Sequence, residues 1–159
     1  MVKIGVYLKA ELENVTDLRP VSDYEWHFKI QCSSCHETDE NWITINAQDT
    51  FEVPGSKATA NLVMKCKFCR RTSSASFEGN SGTYSIDQVR QFVRIAVLDC
   101  RGLEPVDFDA RDGWLAEGAE TGTKFEDIDL TEGDWAEYDE KAGEPVGISN
   151  IEVDFRKEK

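Results

Sequence analysis

Two Cys-x2-Cys pairs, Cys32-Ser33-Ser34-Cys35 and Cys66-Lys67-Phe68-Cys69, are separated by 30 residues in a chain of 159. Two thiolates at this spacing sit on one tight turn whose backbone N–H groups can point at sulfur. Each pair therefore supplies half of a tetrahedral shell, and the second pair completes it. Each pair also ends a predicted strand, which is the pattern of two zinc knuckles facing each other at the tips of hairpins. The expected metal ligands are Cys32, Cys35, Cys66 and Cys69.

Zinc is the expected occupant, because sulfur-rich tetrahedral sites suit it and it needs no redox partner in a reducing compartment. Iron in a rubredoxin-like site would use the same ligands, and the spacing does not separate the two. With all four positions filled by protein thiolates, none stays open for water, so the ion is read as structural rather than hydrolytic.

Other readings of the same cysteines are weaker. Cys32-Ser33-Ser34-Cys35-His36 matches the c-type haem attachment signature, but that leaves the second pair unexplained and needs an export address the N-terminus does not show. A thiol–disulfide centre should follow a strand and open a helix in a βαβ context, whereas both pairs here lie among strands. A thiol-based oxidoreductase or metal-transfer protein using the same pairs dynamically is the alternative to a structural site. His36, directly after Cys35, is expected to point away from the shared centre. Cys100 ends an apolar strand and is expected in the core. Lys65, Lys67, Arg70 and Arg71 surround the second pair and read first as charge compensation for a net −2 site, and second as a small basic contact surface.

Period-two alternation runs through much of the chain. In residues 2–12, Val2, Ile4, Val6, Leu8, Ala10 and Leu12 fall on one face, and in residues 24–31 Tyr24, Trp26, Phe28 and Ile30 oppose polar neighbours. Weaker strands are expected over 42–46, 58–66 and 73–78. Residues 92–100, apolar on both phases, are expected to form a central strand covered on two sides. Residues 13–23 read as a turn from Asn14, Asp17, Pro20, Ser22 and Asp23. Residues 131–142 read as one short helix, with Thr131 as cap and Trp135, Tyr138 and Ala142 on one face, followed by a last strand through Ile151, Val153 and Phe155. The expected fold is mainly β: an antiparallel sandwich or barrel-like single domain over residues 1–159, with zinc knuckles and one short C-terminal helix.

Charge narrows the function further. Eighteen Lys and Arg stand against 31 Asp and Glu, a net of −13, and residues 104–144 alone hold 15 acidic and 3 basic side chains. A field of that sign repels phosphate backbones, so nucleic-acid binding is disfavoured. The acidic stretch contains Asp127-Ile128-Asp129 but fails the calcium-loop register, which needs glycine where Glu132 stands. It reads as a solvated acidic face, with Trp114, Phe125, Trp135 and Tyr138 packing it back onto the sheet. A hydrophobic fraction of 40% excludes a disordered chain. No 18-residue apolar run and no secretory leader is seen, and five cysteines do not suit a secreted disulfide framework. The cytosol or the nucleus is the expected compartment, and a monomer the expected state. No phosphate loop, nucleophile elbow or His-Glu-x-x-His helix is present, so no catalytic set is assigned and no enzyme is expected.

The run Leu8-Lys9-Ala10-Glu11-Leu12-Glu13-Asn14-Val15-Thr16-Asp17-Leu18-Arg19-Pro20, the two cysteine pairs, and the run from Cys100 through Arg101, Gly102 and Leu103 to Phe108 are specific together. So are Asp134-Trp135, Tyr138 to Ala142, and Pro145-Val146-Gly147-Ile148. In these blocks the chain resembles the eukaryotic CXXC-motif-containing zinc-binding protein family over essentially its whole length. The resemblance implies a small, mainly β protein with zinc held by Cys32, Cys35, Cys66 and Cys69. The matched knuckles and the acidic segment read as a non-enzymatic binding or adaptor protein, and the resemblance adds a link to metal homeostasis, with a protein partner for which a copper chaperone is the candidate.

Overall fold

The alternation of residues 2–12 becomes β1 (Val2–Glu13) in a computed structural model that describes residues 2–79 and 81–158. It is followed by β2 (Val15–Pro20), β3 (Glu25–Cys32), β4 (Ile43–Asn46), β5 (Phe51–Glu52), β6 (Thr59–Ala60), β7 (Leu62–Lys65) and β8 (Thr72–Phe77). After a 3-10 turn at Ile86–Gln88 come β9 (Val93–Arg101), β10 (Leu103–Asp109), β11 (Trp114–Gly118), β12 (Lys124–Ile128), β13 (Trp135–Asp139) and β14 (Glu144–Glu158). A six-stranded sheet has the order β13-β14-β1-β9-β8-β7, and three-stranded sheets have the orders β10-β3-β4 and β12-β11-β2. Their pairings are antiparallel, and the sheets curl into a half-barrel, as the mainly β expectation requires.

Ring packing holds the sheets together. Trp26 and Phe28 of β3 stack 6.0 Å apart, Phe108 of β10 lies 5.3 Å from each, and Phe28 meets Phe155 of β14 edge-on at 6.3 Å. Tyr24 joins them to Trp114 of β11 at 5.2 Å. The buried Trp114 donates its indole N–H to the Ala110 carbonyl at 2.7 Å, so its one polar group is not stranded in the core.

β9 lies between β1 and β8, the central position expected for it. Its cover is one-sided, however: Ala96, Leu98 and Cys100 are buried while Val97 and Asp99 on the other face are only half-buried. The expected turn at 13–23 is mostly strand β2. Asp17 adopts φ +56°, and the β2–β11 register slips beside it, so its turn chemistry makes a bulge within the strand.

The short C-terminal helix is the clear correction. Residues 131–142 contain β13, paired antiparallel to β14 with Trp135 opposite Ile148 and Asp139 opposite Glu144. Thr131 caps nothing; its N–H and hydroxyl both turn back to the Asp129 carboxylate, at 2.9 and 2.5 Å. Gly133 then adopts φ +86°, which no right-handed helix passes through. The last strand begins at Glu144, well before Ile151, and passes Asn150 at φ +52° as a bulge. Among the described residues no helix is long and apolar enough to cross a membrane.

Candidate metal centre

The knuckles grow from two different sheets. Cys32 is the last residue of β3, in the three-stranded sheet, and an isolated bridge from Gln31 to Thr38 closes the chain behind it. Cys66 directly follows β7, and Thr72 opens its hairpin partner β8 at the edge of the six-stranded sheet. Both turns are built alike. The first cysteine accepts at its carbonyl from the residue four positions on, His36 to Cys32 at 2.9 Å and Arg70 to Cys66 at 2.8 Å. Its own N–H goes to the residue five positions on, Cys32 to Glu37 and Cys66 to Arg71, each at 2.9 Å. To close this way the chain passes through the left-handed region just after the second cysteine, at His36 with φ +64° and Arg70 with φ +66°.

The two tips meet sulfur to sulfur. The four Sγ atoms all lie within 4.8 Å of one another, with Cys32 to Cys69 at 3.6 Å and Cys35 to Cys66 at 3.7 Å. A tetrahedron with metal–sulfur bonds near ~2.3 Å has edges of about 3.8 Å, so the 3.6 and 3.7 Å separations are those of thiolates sharing one ion, and all four sulfurs are close enough to reach it. They are far longer than the ~2.05 Å of a disulfide, and all five cysteines are unbridged.

The local backbone prepares the first cysteine of each pair for this role. N–H groups of Cys35 and Ser34 favour the Cys32 thiolate and bring its pKa down to about 6. Those of Cys69 and Phe68 lower Cys66 in the same way. Cys35 accepts from the Glu37 N–H, which favours its thiolate, yet lost hydration and the sulfurs of Cys66, Cys32 and Cys69 push it up to about 12. Four thiolates crowded together repel one another; a divalent cation reverses that repulsion, and a donor set of four sulfurs fits zinc.

Two of the four basic residues around the second knuckle reach for the first. Lys67 Nζ lies 3.5 Å from Asp39 and 3.9 Å from Glu40, and Arg71 Nη1 donates to Ser34 Oγ at 3.5 Å. Phe68, the residue after Lys67, has 52% of its surface exposed, and Lys67 lies 5.4 Å from the centre of its ring. His36 is exposed and outside the sulfur cluster, and Cys100 is 1% exposed in the core, its thiol pushed up to about 12 chiefly by burial.

A glycine outside both cysteine motifs also contributes to the centre. Gly102 makes the corner between β9 and β10 at φ +79°, where the chain leaves the six-stranded sheet for the three-stranded one. Its carbonyl accepts from the Ser33 N–H at 3.0 Å and from the Ser73 hydroxyl at 3.1 Å, one from each knuckle region. A Cβ there would need the left-handed backbone and would come within 3.0 Å of Ser73 Oγ. Its place in the run from Cys100 to Phe108 was the available signal.

The fold and the donor set together define a β protein with a zinc-binding cluster of four cysteines. Residues 5–156 match the eukaryotic CXXC motif containing zinc binding protein family, and this chain belongs to it. The CXXC motif containing zinc binding protein of Bos taurus is 45% identical over 159 residues, covering 99% of each chain, and that of Homo sapiens is 43% identical over the same span. The crystal structure of C1orf123 superposes with a TM-score of 0.93 at 43% identity, covering 98% of this chain and 99% of that one. A hypothetical protein from Plasmodium falciparum superposes at 0.89 with 31% identity, covering 98% and 100%. The family is named for zinc binding and carries no enzymatic name.

Proposed function

We propose that this protein is a non-enzymatic adaptor in which one structural zinc ion clasps two sheets and so fixes a contact surface for a protein partner. The observation that carries this reading is the closed donor set: four sulfurs gathered within 4.8 Å of one another fill the four positions of a tetrahedral zinc ion and leave none for water or substrate. The space beneath the knuckles supports it, since the cavity beside Cys32, Cys66 and Leu103 measures only about 20 Å³, room for about one water. The surface so fixed is the second knuckle, where exposed Phe68 stands among Lys65, Lys67, Arg70 and Arg71. A link to metal homeostasis, with a copper chaperone as the first partner to try, rests on the family resemblance.

A calorimetric titration of the zinc-loaded protein with such a chaperone tests the reading. Binding is expected for the native chain, with loss in Phe68→Ala at unchanged zinc content. Equal binding by Phe68→Ala and by a Cys66→Ser chain without metal would contradict it. A second reading, metal transfer, is favoured by one observation: Cys35 and Cys69 keep partial solvent access. It requires zinc to pass rapidly to a competing chelator, whereas a structural ion stays bound over the same period.

A further inference from the structure

Outside the metal centre, a groove of about 710 Å³ runs between the end of β1, the 3-10 turn, β13 and the start of β14. Its floor includes apolar side chains, among them Ile86, Val89 and Trp135, and its walls carry Glu11, Glu13, Asp134 and Glu137. Arg90 ion-pairs with Glu11 at 3.1 Å. Among the described residues, no ion pair is made by Glu13, Asp134 or Glu137. Lost hydration, then the carboxylates of Glu120, Asp139 and Glu13, raise the nearby Glu144 above its ordinary range, so carboxylates stand close to one another at this end.

The same place has an open sheet edge. β13 is the last strand of the six-stranded sheet, and Ala136, Glu137 and Tyr138 are exposed. Pro145, opposite Tyr138, has no N–H to give, and its carbonyl accepts from Asn14 at 2.8 Å instead. The Tyr138 N–H reaches only the Glu137 carboxylate, at 3.2 Å. Because hydrogen-bonded and open pairs alternate along an antiparallel ladder, Ala136, like Tyr138, turns its backbone groups outward. A second copy of this chain is a poor occupant for such an edge, since it would bring Asp134 and Glu137 against a matching set of carboxylates.

We propose that this edge and groove dock an extended, Lys- and Arg-rich segment of a partner protein, which pairs with the backbone of β13 and lays its cations on Glu13, Asp134 and Glu137. This surface is independent of the knuckle surface, and either can fail alone.

The probe is a fluorescent peptide alternating lysine and valine, with its glutamate–valine counterpart as control, read by anisotropy against the zinc-loaded full chain. The lysine peptide is expected to bind and to be released by salt, and the glutamate peptide to be ignored. The combined variant Glu13→Gln/Asp134→Asn/Glu137→Gln should weaken binding about tenfold or more while leaving the melting temperature in place. Ala136→Pro removes one outward donor without touching the ladder, and should weaken binding with every charge retained. Equal binding by both variants and the native chain overturns the proposal, as does failure of the native chain to bind. Concentration-dependent dimerisation of the native chain, abolished by Ala136→Pro, would also overturn it by assigning the edge to a second copy.

Discussion

At the knuckle end, two short turns from different sheets approach until four sulfurs crowd together, and apart from those sulfurs they are joined by the Gly102 carbonyl, which holds Ser33 and Ser73, and by polar contacts such as Lys67 to Asp39 and Arg71 to Ser34. Through the middle of the molecule, Tyr24, Trp26, Phe28, Phe108 and Trp114 pack ring against ring with almost no solvent access. The first region brings four thiol groups together in place of a core and, on the proposed structural role, depends on an ion; the second is a conventional apolar interior. A partly exposed ion pair such as Lys67–Asp39 is worth about 1 kcal/mol, too little to hold the knuckles by itself. The two regions should therefore fail separately.

The largest effect separates them at once. Structural zinc contributes on the order of 10–16 kcal/mol in small zinc-dependent peptides, so Cys66→Ser should abolish stoichiometric zinc binding. Hydrogen exchange should then rise at residues 32–37 and 66–71 while the amides of β1 and β9 stay protected. Phe28→Ala acts on the other region: deleting a ring that is 0% exposed should lower global stability by about 3–5 kcal/mol in denaturant titration, with zinc still bound below the transition. If Cys66→Ser lowered global stability and the protection of β1 and β9 as much as Phe28→Ala, the separation would be wrong.

A smaller effect sharpens the comparison at the end remote from the cysteines. Asp139 is buried, accepts from the hydroxyls of Thr121 and Thr123 at 2.7 and 2.9 Å, and accepts from the N–H groups of Lys141 and Ala142. These bonds, the Thr121 hydroxyl foremost, hold its carboxyl below the ordinary aspartate value. Its contribution is thus complete above the unfolded aspartate pKa and disappears as pH falls through the lower folded value. The stability gap between native and Asp139→Ala chains should be constant near neutrality and close in acid. A gap independent of pH would contradict this account.

The smallest effect lies in the knuckle turns. His36 has φ +64°, a conformation that costs a non-glycine residue on the order of 1–2 kcal/mol. His36→Gly should therefore stabilise the zinc-loaded protein by about 0.5–1 kcal/mol in denaturant titration, after the entropy of the freer unfolded chain is subtracted. A loss of stability would show that the histidine ring makes a contribution of its own.

How far the sequence is legible follows from where each signal is written. β1 and β3 alternate cleanly because each has one face in the core, and the cysteine pairs declare their meeting by spacing alone. Residues 131–142 misled because Trp135, Tyr138 and Ala142 lie at helical intervals, while the decision rested on pairing with β14 and on the left-handed backbone at Gly133. Asp17 likewise shows turn chemistry that the β2–β11 pairing converts into a bulge. Gly102 escaped because its work is done by a carbonyl, which every residue has; only the three-dimensional corner brings it between Ser33 and Ser73.

Zinc K-edge X-ray absorption on the purified protein tests the central claim most directly. Four sulfur scatterers near ~2.3 Å and no nitrogen or oxygen in the first shell are expected. A shell mixing sulfur with nitrogen or water oxygen, or a protein whose cysteines are bridged to one another with no zinc edge, would contradict it.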